Sequence, residues 1–322
     1  MNIFEKIEQQ IFDSAFVHFL SEKSKLFSMP GFRGVSFYEV WMFFWKQVHK
    51  IGMTERASAI AFNFTMAIPP AVIFVFTLVP FMPISKEFIE ELFTLIRDVI
   101  PGQKDNSPLI AFLNDFINHP RNGLLSLGFI LSLFFSSSAM MGIMRSFDKN
   151  YIGFNKRSDF HNRLIAIRLT LIFYVLILIA IFIIAMQGQV LHWLDIKNKT
   201  LVTVILNLRW FVIILLFFYI ISFIYKYAPA VHKKWKLINP GSILATFLML
   251  LFTMFFSWWI NNYANYNQLY GPISTVLILM LLIYFNSLVL LIGFELNVSI
   301  SSLKKIADER EKNNTDGDGI SA

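Results

Sequence analysis

An all-α, polytopic membrane protein with six transmembrane helices is the fold this sequence predicts, and two observations carry the prediction. Between Lys236 and Glu295, 58 consecutive residues contain no Asp, Glu, Lys or Arg. Of the 322 residues, 56% are hydrophobic, 15% are charged and 36 are Phe, a composition whose solvent is mostly lipid. A helix needs ~20 apolar residues to cross ~30 Å of hydrocarbon, so the uncharged run holds two spans and a turn. Asn261, Asn262, Tyr263, Asn265, Tyr266, Asn267 and Gln268 mark that turn.

Residues 1–52 carry charges throughout and no apolar stretch of signal-peptide type, so no cleaved leader is expected. They hold two amphipathic patterns. Ile3, Phe4, Ile7, Ile11, Phe12, Phe16 and Phe19 recur at helical steps, and after a break at Pro30, Gly31 and Gly34 so do Phe37, Val40, Trp41, Phe43, Phe44 and Val48. Both read as interfacial cytoplasmic helices, the second an elbow feeding the first span. Where charge stops, spans fall near 57–81, 123–147, 164–185, 201–225, 242–262 and 273–299. The six-span domain covers 53–302. Its outer loop at 85–118 contains two more amphipathic stretches, separated by Pro101 and Gly102, which either cap the mouth of the bundle or lie in the headgroup layer. Residues 303–322 are charged and end in an Asn-, Asp- and Gly-rich stretch, which predicts a disordered tail.

Charge placement sets the orientation. Twenty of the 28 Lys and Arg fall in 1–56, 145–163, 226–241 and the segment after 300, whereas six fall in 82–122 and 186–200. Basic short loops stay cytoplasmic, so both termini are expected inside. The formal charge of +7 is explained by this bias, and no nucleic-acid partner is expected. With no Cys, disulfide and thiolate sites are excluded.

Catalytic and metal signatures are missing from the sequence as well. His18, His49, His119, His161, His192 and His232 are too far apart for a local ligand pair, and there is no P-loop and no serine nucleophile elbow. No cofactor, metal or enzymatic activity is expected. The candidates for function are the polar residues within spans. Arg209 lies about 8 residues, or ~12 Å, into span four, where a charge either faces the bundle or snorkels outward. Glu295 shares a helical stripe with Tyr284 and Ser287, and Arg168 at the same end of span three is placed to pair with it, as a transport site or as a structural ion pair. Span one carries Asn63, Thr65 and Pro69-Pro70, where a proline pair either interrupts the helix at a binding site or simply kinks it. Ser132, Ser136, Ser137, Ser138 and Gly142 in span two read as a packing face, within one chain or between copies in a homo-oligomer.

Several short motifs resemble the YihY/BrkB family of bacterial inner-membrane proteins, once labelled ribonuclease BN. They are Tyr225-Lys226-Tyr227-Ala228-Pro229, Asn239-Pro240-Gly241, Tyr270-Gly271-Pro272 and Gly293-Phe294-Glu295-Leu296-Asn297, and the resemblance spans roughly residues 40–300. Two positions depart from it: Phe294 stands where the family commonly has Ala, and Ala61-Phe62-Asn63-Phe64-Thr65 replaces an Ala-Tyr-Tyr pattern. The resemblance implies six spans, a bacterial inner-membrane location and an envelope role, with suggestions of virulence and lipid export attached to the family. The nuclease label finds no clustered carboxylates or histidines to support it. The expectation is a transporter or flippase-like protein for an envelope amphiphile or small solute, its partners being membrane lipids and that lipid or small-molecule substrate. A scaffold anchoring partners through its amino-terminal helices or tail is the alternative, and a membrane-embedded hydrolase a third reading.

Overall fold

The computed structural model describes residues 36–50, 52–78, 122–148, 157–193, 199–231, 234–263 and 273–318, with isolated positions between them. Seven helices account for nearly all of these: α1 (Phe37–Lys50), α2 (Met53–Leu78), α3 (Asn122–Phe147), α4 (Asp159–Trp193), α5 (Lys199–Tyr227), α6 (Pro240–Tyr263) and α7 (Ile273–Asp318). The last six are long and apolar enough to cross a membrane, with spanning segments Met53–Val75, Ser126–Phe147, Asp159–Ile181, Trp210–Tyr227, Pro240–Ile260 and Val276–Glu309. Helix is the form the bilayer demands, because it pairs every backbone N–H and C=O inside the segment. The expectations for residues 1–35 and for most of 85–118 lie outside the described residues.

Helix ends follow from local chemistry. Ser36 starts α1, its hydroxyl accepting the Glu39 N–H at 3.3 Å, with Glu39 itself in the first turn. Gly52, at φ +32°, turns the chain from α1 into α2, a conformation that a side chain would strain. Ser158 caps α4 through the His161 N–H at 3.3 Å. Pro240 occupies the first helical position of α6, where its missing N–H is no loss.

Each spanning helix packs on its chain neighbours, and α7 returns to α2, so the six close into a ring. Val40 of α1 is buried against Ile300, Leu296 and Leu303 on the outside of α7, while Trp41 and Trp45 are exposed. The core shared by all six lies toward one end. It contains Met53, Ala57 and Ile60 of α2, Met140, Ile143 and Phe147 of α3, Leu169 and Phe173 of α4, Ile221 and Tyr225 of α5, Ala245 and Met249 of α6, and Leu291, Phe294 and Val298 of α7. This end carries Arg56, Arg145, Arg157, Arg163, Lys226, Lys234 and Lys236 and is the basic end of the bundle. In the other half the described contacts fall into two separate groups. Phe256 and Ile260 of α6 meet Ile278 and Leu282 of α7, and Phe74 of α2 meets Phe129 of α3 and Tyr174 of α4 at ring distances of 5.2 and 5.7 Å.

One pair of alternatives is narrowed here, and one expectation meets a different local structure. α2 runs without a break through Pro69 and Pro70, and Pro69 is exposed, so the proline pair does not open the helix into a binding site. α7 continues as helix to Asp318, where the composition of the segment after 303 predicts a disordered tail. The first turns of that segment extend an existing helix and bear no nucleation cost, and Lys305 and Glu309 lie 3.9 Å apart one turn from each other.

Candidate functional site

At the basic end, Arg56, the fourth residue of α2, points into the ring and meets Glu295 of α7. The guanidinium Nη1 donates to Glu295 Oε1 at 2.8 Å, and Nη2 donates to the Ser146 carbonyl at the end of α3. The carboxylate is fully buried and the arginine side chain is 7% exposed. Two charges taken out of water together recover their desolvation only through close geometry and further hydrogen bonds, and losing either one costs about 3–5 kcal/mol. The pair therefore joins the first span to the last, and α3 to both.

Around this pair the helices approach unusually closely. A Cβ on Gly293 would lie 2.6 Å from the Gly241 carbonyl oxygen and 2.5 Å from the Tyr225 hydroxyl, and a Cβ on Gly241 would collide with the Gly293 carbonyl and the Asn297 side chain. Two facing glycines thus let α6 and α7 cross backbone to backbone. The crossing puts Asn297 of α7 over the start of α6, where its Oδ1 accepts the Gly241 N–H at 2.9 Å and its amide donates to Asn239 Oδ1 at 2.6 Å. Asn239 in turn accepts the Ser242 N–H at 2.8 Å. The first N–H groups of α6, which have no partner within their own helix, are satisfied partly from another span. Tyr225 of α5 donates its hydroxyl to the Leu290 carbonyl at 2.6 Å, and Phe294 stacks on Phe147 at 3.9 Å with planes 5° apart.

Outside the membrane at this end, two loops are tied together. Phe154 and Val231 form an antiparallel bridge, and Arg157 donates to the Ala228 and Pro229 carbonyls at 3.2 and 2.9 Å. Partial burial lowers the Arg157 pKa from its ordinary value, with the Asp148 charge opposing the shift. Tyr225, Asn239, Glu295 and Asn297, drawn from three separate sequence motifs, thus all take part in the cluster of contacts that α7 makes with α2, α5 and α6 at this end. Among the described residues no group of three or more His, Asp or Glu side chains converges.

The sequence profile of the family described as Virulence factor BrkB matches residues 44–318. The chain belongs to this family. Among BrkB relatives, YfkH of Bacillus subtilis (strain 168), provisionally named as ribonuclease-like, is 26% identical over 79% of this chain and 92% of its own. The UPF0761 membrane protein NTHI0384 of Haemophilus influenzae is 22% identical over 84% of this chain and 97% of its own. A UPF0761 membrane protein of Actinobacillus pleuropneumoniae is 25% identical over 77% and 87%. No solved structure matches. The BrkB match covers every spanning helix, and the chain is a multi-pass membrane protein.

Of the residues singled out in the sequence, Glu295 and Gly293 lie in the cluster. Tyr284 and Ser287 share their helix face, Ser287 buried and Tyr284 half-buried, but Ser287 bonds back to the Ile283 carbonyl at 2.7 Å. Arg168 does not pair with Glu295. It is exposed on α4, which packs on α3 and α5 rather than on α7, and the ring order is the reason. Asn63 sits on α2 away from the pair, donates to the Ala59 carbonyl at 2.7 Å and packs on Gly142 of α3, a packing contact with its hydrogen bond already made. Arg209 lies within α5, but its side chain is outside the described residues, as are Tyr270 and Gly271. Arg56 was missed because it precedes the charge-free stretch and was counted with the cytoplasmic basic residues. Its signal was phase: Arg56 and Ile60 are one turn apart, on the face that Ala57 and Ala61 keep narrow.

Proposed function

We propose that this protein is an inner-membrane transporter or flippase-like protein for an envelope amphiphile, with both termini in the cytoplasm and the basic end facing inward. The observation that carries the reading is the buried Arg56–Glu295 pair, which closes the ring between its first and last spans. Ionisable groups inside a bundle are costly, and in membrane proteins they are the usual mark of a substrate path. Among the described residues the core shared by all six helices lies on the side of this pair, whereas α6–α7 and α2–α3–α4 pack as separate groups in the other half. Such an arrangement suits a carrier closed at its basic end. No hydrolytic step is part of the proposal.

The test is transfer of headgroup-labelled anionic and zwitterionic phospholipids across proteoliposome membranes, with the wild type, Glu295→Gln and the double variant Arg56→Met/Glu295→Met. Apolar residues of similar size replace a buried ion pair with little loss of stability, so the double variant should fold. It should nevertheless lose transfer, as should Glu295→Gln. Transfer no faster than in protein-free liposomes, or undiminished in the folded double variant, defeats the reading. A scaffold is the second reading, favoured by the extension of α7 to Asp318 with exposed Asp308 and Glu309. Removing residues 303–322 should then abolish the cellular phenotype, whereas a transporter should tolerate the loss.

A further inference from the structure

A cleft of about 80 Å³ opens where the α5–α6 loop meets α7, with Trp235, Lys236, Ile238, Asn239, Asn297 and Ile300 among its lining. Several waters would fit in this volume. Spans four and five end at Tyr227 and begin again at Pro240, so the loop that forms the cleft lies at the level of the membrane boundary. Trp235 is 3% exposed, and its indole Nε1 has no hydrogen-bond partner. A buried donor left unmade is expensive, and an acceptor from outside the chain would satisfy it. Asn239 and Asn297 are already committed to one another and to the start of α6. The ammonium of Lys234 lies 4.9 Å over the Tyr227 ring, which leaves the exposed Lys236 as the cation at the cleft. No acidic side chain lines it, and Ile238, 63% exposed, forms an apolar lip.

From this we infer a binding site for the headgroup of an anionic phospholipid: the phosphate accepts from Trp235 Nε1 and pairs with Lys236, and an acyl chain lies along Ile238. The lipid clasps the α5–α6 loop to α7 from outside the ring. The site does not depend on the transport reading, since neither Arg56 nor Glu295 lines it, and a local adjustment of the loop around Trp235 is enough to admit an acceptor to its buried Nε1.

Native mass spectrometry of the full-length protein in detergent, titrated with phosphatidylglycerol, diacylglycerol or glycerol 3-phosphate, tests it. One phosphatidylglycerol should be retained by the wild type, and held about tenfold more weakly by Trp235→Phe and Lys236→Gln, the loss expected for one hydrogen bond or ion pair to a charged group. Lys236→Arg should retain wild-type binding. Because Lys236 is exposed, its variants report on the lipid without disturbing the core. Equal phosphatidylglycerol binding in Trp235→Phe, Lys236→Gln and wild type overturns the proposal, as does diacylglycerol binding as tightly as phosphatidylglycerol. Equally tight binding of glycerol 3-phosphate would identify a soluble phosphate compound instead, and would overturn the lipid assignment.

Discussion

α2 is held on its two sides by different means. Against α7 the contact is ionic, with Arg56 and Glu295 buried together beside the glycine crossing of α6 and α7. Against α3, apart from the Arg56 bond to the Ser146 carbonyl, it is made of small residues, with Gly142 under Asn63 and Gly128 under the Phe74 backbone; farther round the ring, Tyr174 of α4 bonds the hydroxyls of Ser132 and Ser136 on α3. The small-residue side gains from many shallow contacts, none of which leaves a strongly disfavoured group behind when it is lost. The ionic side stakes much of its stability on two partners. This difference predicts which substitutions the bundle tolerates.

The largest effect should come from Glu295→Ala, which leaves the Arg56 guanidinium buried without its anion and should cost about 3–5 kcal/mol. Thermal unfolding in detergent followed by size-exclusion chromatography would show it as a large loss of monodisperse protein. A smaller cost, about 1–3 kcal/mol, is expected for Gly241→Ala, whose methyl group must push α6 away from the Gly293 backbone. A cross-link between cysteines placed on α6 and α7 near this crossing should form more slowly in that variant; unchanged cross-linking would show that the close approach is dispensable. Least of all is expected from Tyr174→Phe, since interhelical hydrogen bonds in membranes average about 0.6 kcal/mol. If its stability fell as far as that of Glu295→Ala, the contrast between ionic and small-residue packing in the ring would collapse.

The six spans were legible because lipid imposes a single requirement, long stretches without charge, and Lys236 to Glu295 meets it plainly. Glu295 was legible as a suspect for the same reason, since a carboxylate inside such a stretch stands out. Its partner was not. Arg168 and Arg56 are both cations near the same end, and only the ring order, a long-range property, decides between them. The glycine crossing was equally hidden: Gly241 and Gly293 are 52 positions apart, and nothing local to either says that they face each other. The family motifs contain residues that meet in the fold, Tyr225, Gly241, Gly293 and Asn297 among them, without saying that they touch. The helical continuation to Asp318 was misjudged because the composition of the tail was weighed without the helix that precedes it.

At ~1.5 Å per residue, the 46-residue α7 is a rod of roughly 69 Å, over twice the ~30 Å depth of hydrocarbon. Its charged final turn lies about 35 Å beyond Glu295. Tilting such a lever by roughly 10° about the ion pair would sweep its tip through ~6 Å. A tilt at the ion pair would thereby be enlarged at the far, charged end of the helix.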